Sequence, residues 1–247
     1  MNHFGELTWQ EFGLRVPSET ATVLVPVGTI EAHGVTPLAT DNLIPEYLCR
    51  QLAAPLGALV APTINYGITK SLSGFPGSFG VRTRVFCDYV ADVLRGLHHS
   101  GFHRLAVING HGGNNQALKE AAYTVYEETG VQVCVVHWWL FCSEICREVF
   151  GQAGGHAGCD ETAMVMAAAP DLVRQDLYHG DLAFEYHAAV DIYPAPSSIM
   201  LYTPGEGHPD FDADRCAQYA AAATARVQSY LLELWSAWDH MLSPARR

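Results

Sequence analysis

The chain has no run of lysine or arginine long enough to form a basic stripe. Its 26 acidic residues outnumber 14 basic ones, giving a net charge of −12. With no basic stripe to track phosphates or an anionic membrane surface, nucleic-acid binding and membrane-surface binding are disfavoured. Nor do as many as about 18 apolar residues run together, so no membrane-spanning helix is expected. Residues 1–6 lack the charged start and apolar core of a secretion signal, and the expectation is a soluble cytoplasmic protein. Seven cysteines are scattered without a C-x-x-C pair, which points to reduced thiols rather than a disulfide framework. Neither G-x-G-x-x-G nor a Walker loop with its lysine is present, which argues against nucleotide binding. No linker, repeat or low-complexity segment divides the chain, so a single domain spanning 1–247 is expected.

What is present is a large apolar core and an alternation of strand and helix patterns. Hydrophobic residues make up 49% of 247, enough to bury one sizeable core. The patterns read as a strand over 23–27 ended by Gly28, a helix over 42–54 with Pro45 in its first turn, and a strand over 58–65. After a loop rich in glycine and serine, a helix over 84–99 closes at Gly101 and a strand covers 104–108. A helix over 114–129, capped by Asn114 and stopped by Gly130, then leads to a strand over 131–138. Two shorter helices over 143–151 and 161–169, an irregular stretch over 173–209 and a long alanine-rich helix over 213–241 complete the chain. Continuous apolar strands joined by helices predict an α/β fold, three layers with a mostly parallel central sheet.

Three polar clusters stand out. Glu31 and His33, two residues apart, point to one side of an extended backbone, with Asp41 following. The second is Asn109-Gly110-His111-Gly112-Gly113-Asn114, and the third runs from His156 through Cys159, Asp160 and Glu161 to Thr162. Carboxylate and imidazole suit zinc, manganese or iron. In an open parallel sheet ligands bind beyond the carboxyl ends of the strands, so Glu31, His33 and His111 are expected at one rim although 80 positions separate them. The glycines around His111 permit a sharp turn and close backbone approach, as they would also in a phosphate cradle.

Four segments in order carry a resemblance. Val25-Pro-Val-Gly-Thr-Ile-Glu-Ala-His-Gly34 with Thr40-Asp41, Phe75-Pro76-Gly77-Ser78, the Asn109 to Asn114 segment and His156-Ala157-Gly158 with Glu161-Thr162 resemble the creatininase (creatinine amidohydrolase) family over roughly residues 20–170. Gly205 to Asp210 before a long helix is similar too. The resemblance implies a metal-dependent hydrolase of a non-peptide or cyclic carbon–nitrogen amide bond in a small molecule. Its metal ligands would be Glu31, His33, Asp41, His111 and Glu161, holding two divalent ions (zinc, manganese or iron) per subunit with Asp41 bridging. His156 would shuttle a proton, with Glu161 also in the catalytic set. A homo-oligomer, a hexamer above all, is implied, and the apolar and aromatic residues of 178–202 are the expected contact surface. The alternatives are a peptidase of the mycofactocin-precursor type, or a member that binds a metal or metabolite without turnover.

The chain departs from the family pattern in three places. The second histidine of the usual E-x-H-G-P-H run is missing, Gly113 stands where the creatinine-specific branch has a metal-binding glutamate, and Thr69-Lys70-Ser71-Leu72 replaces an S-x-x-H segment. Glu161 would then complete the second metal site, and creatinine becomes a less favoured substrate. Cys159 beside His156 offers a rival thiolate nucleophile or an exposed loop cysteine without a role, while Cys142 and Cys146 read as small buried residues. Either Trp138 or Trp139 could close over a substrate. His137 reads as a hydrogen-bonded core histidine, and His179, His187 and His208 as part of a lid or a subunit contact.

Overall fold

The computed structural model describes residues 2–187 and 189–242; positions 1, 188 and 243–247 of the expected domain lie outside the described residues. Four strands, β1 (Thr22–Val27), β2 (Leu59–Val60), β3 (Arg104–Asn109) and β4 (Gln132–His137), form a wholly parallel sheet in the order β2-β1-β3-β4. Side chains alternate across the pleat. Val23, Val25, Val27, Leu105 and Val107 face one core, where α3 (Thr83–His99) and α4 (Asn115–Thr129) contribute Phe86, Val90, Leu94, Leu118 and Val125. Leu24, Ala106 and Ile108 face the other, with Leu48 and Leu52 of α2 (Thr40–Ala53), Met164 of α7 (Cys159–Ala168) and Tyr219 of α8 (Ala213–Leu242). Each fully buried leucine of these layers contributes about 1.5–3 kcal/mol. The expected three-layer arrangement is therefore present.

Most boundaries fall where the patterns place them, with three instructive differences. The expected strand over 58–65 pairs as β2 only at Leu59–Val60, because Pro62 has no N–H to give the ladder. The chain rejoins β1 at Ile64, whose N–H bonds the Pro26 carbonyl at 3.0 Å. Helix α2 starts two residues early, which puts Asp41 in its first turn, and α7 starts at Cys159, which puts Asp160 and Glu161 in its first turn. Asn114 precedes α4 but makes no side-chain cap bond. Helix α1 (Trp9–Arg15), the short helices α5 (Trp138–Phe141) and α6 (Ser143–Phe150), and a parallel pair of strands, β5 (Ala183–Glu185) and β6 (Ile199–Leu201), complete the named elements. The last two lie within the stretch read as irregular.

Strands β1 and β3 end in register, Val27 opposite Asn109, and each is followed by glycine. A Cβ on Gly28 or on Gly110 would lie 2.1 Å from the Asp41 carbonyl oxygen. Two glycines thus let the first turn of α2 press directly onto the sheet rim. Pro45, one turn later, supplies no N–H to that carbonyl, so α2 begins without its ordinary bond there.

Candidate metal centre

The first turn of α2 brings Asp41 to the rim, the β1 exit brings Glu31 and His33, the β3 exit brings His111, and the first turn of α7 brings Glu161. All six site residues expected from the sequence, His156 included, meet there. His33 Nε2 lies 2.9 Å from Asp41 Oδ1 and 3.6 Å from Glu161 Oε2. His111 Nδ1 lies 2.9 Å from Asp41 Oδ2 and 3.1 Å from Glu31 Oε1. Two triplets of ligand atoms therefore share Asp41, one oxygen each: Glu31, Asp41 and His111, and His33, Asp41 and Glu161, each set within 4.8 Å.

Backbone carbonyls orient all three imidazoles. His33 Nδ1–H donates to the Glu31 carbonyl at 3.1 Å, His111 Nε2–H to Ile68 at 2.8 Å and His156 Nε2–H to Ala32 at 2.9 Å. The opposite nitrogen of each ring faces the cluster, where it offers a lone pair to a cation whenever it carries no proton. His156 stacks on His33 with centroids 4.1 Å apart, and its Nδ1 lies 3.8 Å from Glu31 Oε1. Glu161 accepts from the Ala157 N–H at 2.6 Å, and Ala157 takes the left-handed conformation, φ 59°, that aims it there.

These residues fit a cation. Glu31 Oε1, His33 Nε2 and both Asp41 carboxylate oxygens are buried without a well-formed hydrogen bond, a costly arrangement unless a charge of opposite sign joins them. Protons fill that role in the metal-free protein. Burial opposes charge on His33, but Asp41 and Glu161 outweigh it and raise the imidazole to about 10. His111 is likewise pushed down by burial and lifted well above its ordinary value by Glu31 and Asp41. Burial raises Asp41 and Glu31, yet the facing histidines hold both carboxyls below their usual range. Glu161 is raised to about 8 by burial that His33 only partly offsets. Burial and the neighbouring His33 lower His156 to about 4, so at neutral pH it carries no second proton.

The cluster floors a cavity of about 890 Å³. Trp139 lines it while Trp138 is fully buried, so of the two tryptophans it is Trp139 that reaches the cavity. Lys70, Arg147, Asp160, Tyr186, His187 and Tyr202 also line it. Of these Asp160 stood out within the third polar cluster, Lys70 as a departure from the family pattern, His187 within a choice between lid and subunit contact, and Tyr186 and Tyr202 within the expected contact segment; Arg147 carried no sequence signal. Arg147 is held by Glu206 at 3.0 Å, and Asp160 is raised to about 6 by burial. His137 Nδ1 accepts from Asn109 Nδ2 at 2.9 Å, the expected hydrogen bond, although the ring is half-buried and not in the core. His179 pairs with Asp181, and His208 Nδ1 lies 3.1 Å from the Tyr178 hydroxyl.

Two expectations are corrected. Cys159 is neither exposed nor a nucleophile: its side chain is buried, with Sγ 3.5 Å from that of Cys146, and this contact together with burial pushes the thiol far above its ordinary value. The apolar residues of 178–202 do not form one outer patch. Ile199, Met200 and Leu201 are buried as β6, whereas Phe184, Tyr193 and Tyr202 remain exposed.

A family profile described as creatinine amidohydrolase matches residues 5–224. The chain belongs to the creatininase family. It is accordingly a hydrolase of the class that acts on carbon–nitrogen bonds. Creatinine amidohydrolase of Pseudomonas putida is 32% identical over 191 residues, 70% of this chain and 74% of that protein. The mycofactocin precursor peptide peptidase of Mycolicibacterium smegmatis is 34% identical over 162 residues, 62% of this chain and 60% of that protein. Among solved structures, a glutamate-to-glutamine variant of creatininase in a zinc–zinc form superposes with a TM-score of 0.77 at 26% identity, covering 93% of this chain and 96% of that one. Within the creatininase framework, position 113 is closed to any side chain here: a Cβ would lie 2.4 Å from both His111 Nε2 and the Ile68 carbonyl. The carboxylate that stands beside His33 is Glu161, with Oε2 3.6 Å from Nε2.

Proposed function

We propose that this creatininase-family chain, read as one metallohydrolase domain over 1–247, hydrolyses a non-peptide or cyclic amide of a small molecule at a centre of two divalent ions. The observation that carries this is the pair of buried triplets sharing Asp41, with its orphaned oxygens and nitrogen. Glu31 and His111 would hold one ion, His33 and Glu161 the other, and Asp41 both. A divalent ion lowers the pKa of bound water to about 7 and polarises a carbonyl. His156, neutral at rest and facing the cavity, would take a proton at Nδ1 and return it to the departing nitrogen. The cavity is of a size that suits a drug-sized ligand, about 300–1,000 Å³, and Trp139, Tyr186 and Tyr202 provide flat apolar walls. A closed position 113 supports an amide other than creatinine, and iron or manganese would serve as well as zinc with this mixed donor set.

The peptidase alternative draws on the mycofactocin relative, which lies in the same family and is not favoured over the small-molecule reading. We place the enzyme in a reducing cytoplasm on its seven unpaired cysteines, and as a homo-oligomer, a hexamer above all, on the family resemblance. Among the described residues no helix is long and apolar enough to cross a membrane. The test is elemental analysis of purified protein with turnover on a panel of cyclic amides, formamides and ureides. Two ions per chain and chelator-sensitive hydrolysis are expected; chelator-resistant hydrolysis would overturn the metal assignment.

A further inference from the structure

We propose that Asn114 is a positioning residue that sets the orientation of His111, and with it the affinity of one half of the metal centre. The inference rests on the two-ion reading above. Asn114 lies just before α4, fully buried, where a capping role is expected from the sequence. Its amide does something else. Nδ2–H donates to the Gly28 carbonyl at 3.0 Å, at the β1 exit that leads to Glu31 and His33. Oδ1 accepts from the Ile68 N–H at 2.9 Å, in the loop that forms one cavity wall. The other side of that same residue, the Ile68 carbonyl, receives His111 Nε2–H at 2.8 Å.

One side chain thus fixes both the rim of β1 and the acceptor that selects the His111 tautomer. The packing leaves little freedom around it: a Cβ on Gly67 would lie 2.5 Å from Asn114 Oδ1, and one on Gly113 would strike the His111 to Ile68 bond. Thr29 reinforces the link, accepting from the Gly67 N–H at 3.2 Å and meeting Thr69 Oγ1 at 3.0 Å. Without Asn114 the Ile68 N–H loses its partner and its carbonyl is no longer held against the ring. His111 is then free to present the wrong nitrogen to Glu31 and Asp41. Groups that orient a metal-binding imidazole are typically worth 10- to 100-fold in metal affinity.

The experiment is stepwise zinc titration of chelated protein against a competing indicator, for wild type, Asn114→Ala, His111→Ala and the double variant, with thermal melting to confirm that each folds. Asn114→Ser is read in parallel in case the alanine variant is insoluble, since serine reaches neither Gly28 nor Ile68. Asn114→Ala should weaken one of two ions by about 10- to 100-fold and leave the other within a few-fold of wild type. Adding it to His111→Ala should cost little more, because both act through one ring. Nitrogen-15 spectra should show the His111 ring locked with its proton on Nε2 in the metal-free wild type at high pH, and mixed in Asn114→Ala. Equal weakening of both ions, additive losses, or an unchanged His111 signal would overturn the proposal. A wild-type chain that takes up no zinc would instead overturn the metal centre on which it rests.

Discussion

Asp41 is the residue on which the centre turns, since each of its carboxylate oxygens faces a different histidine. Asp41→Asn should therefore deplete both ions and abolish turnover while leaving the fold in place, and His111→Ala should remove one; plasma emission analysis and circular dichroism check both. Full metal content in either would displace the proposed ligand set. His156→Gln should keep the ions and slow turnover by about 10²- to 10⁴-fold, the span of a positioned acid or base. Proton counting gives a third expectation. In the metal-free protein His33 titrates at about 10 and Glu161 at about 8, so both hold protons at pH 7 that a metal must displace. The metal-free state binds more protons than the loaded one, and raising pH through 8 toward 10 strengthens loading. Calorimetry of metal binding at pH 7 in buffers of differing ionisation enthalpy should show net proton release; none would mean the two groups are already deprotonated. Glu31, His33 and His111 were legible because each follows an apolar run. Asn114 was misread as a cap, because its partners Gly28 and Ile68 are distant in sequence and no local pattern encodes them.

At the scale of elements, the rim depends on how closely α2 approaches the ends of β1 and β3. Gly28→Ala or Gly110→Ala would push the Asp41 carbonyl away from a 2.1 Å overlap, at an overpacking cost of about 1–3 kcal/mol. Urea unfolding should show that loss together with weakened metal retention, whereas Gly13→Ala on α1, where nothing lies within 4 Å of the new Cβ, should show neither. The helices and strands themselves were readable because continuous apolar runs mark strands buried on both faces, as in Val23, Leu24 and Val25, whose side chains enter opposite cores, while helical spacing marks the covering layers. Reading failed where local chemistry interrupts a pattern. Pro62 cuts the β2 ladder, and β5 and β6 are three-residue strands too short to show a period.

For the molecule as a whole, Phe184, Tyr193 and Tyr202 keep apolar surface exposed in the segment that walls the cavity. Light scattering at micromolar concentration should return a multiple of the 27.0 kDa chain mass; a monomer would rule out any site completed by a neighbouring subunit. The ligands also have an order along the chain that matters in time. Synthesis proceeds from the N-terminus at about 5–20 residues per second, so Glu31, His33, Asp41 and His111 are all translated before Glu161. Glu161 is fixed by α7, whose Cys159, Ala163 and Met164 pack in one core with Cys216, Tyr219 and Ala220 of α8. On the two-ion proposal, the second half of the centre would take shape only once α8 has packed against α7. Metal selection would then follow the packing of α7 on α8, governed by which ion the cell has free at that moment and not by which ion the nascent chain meets first.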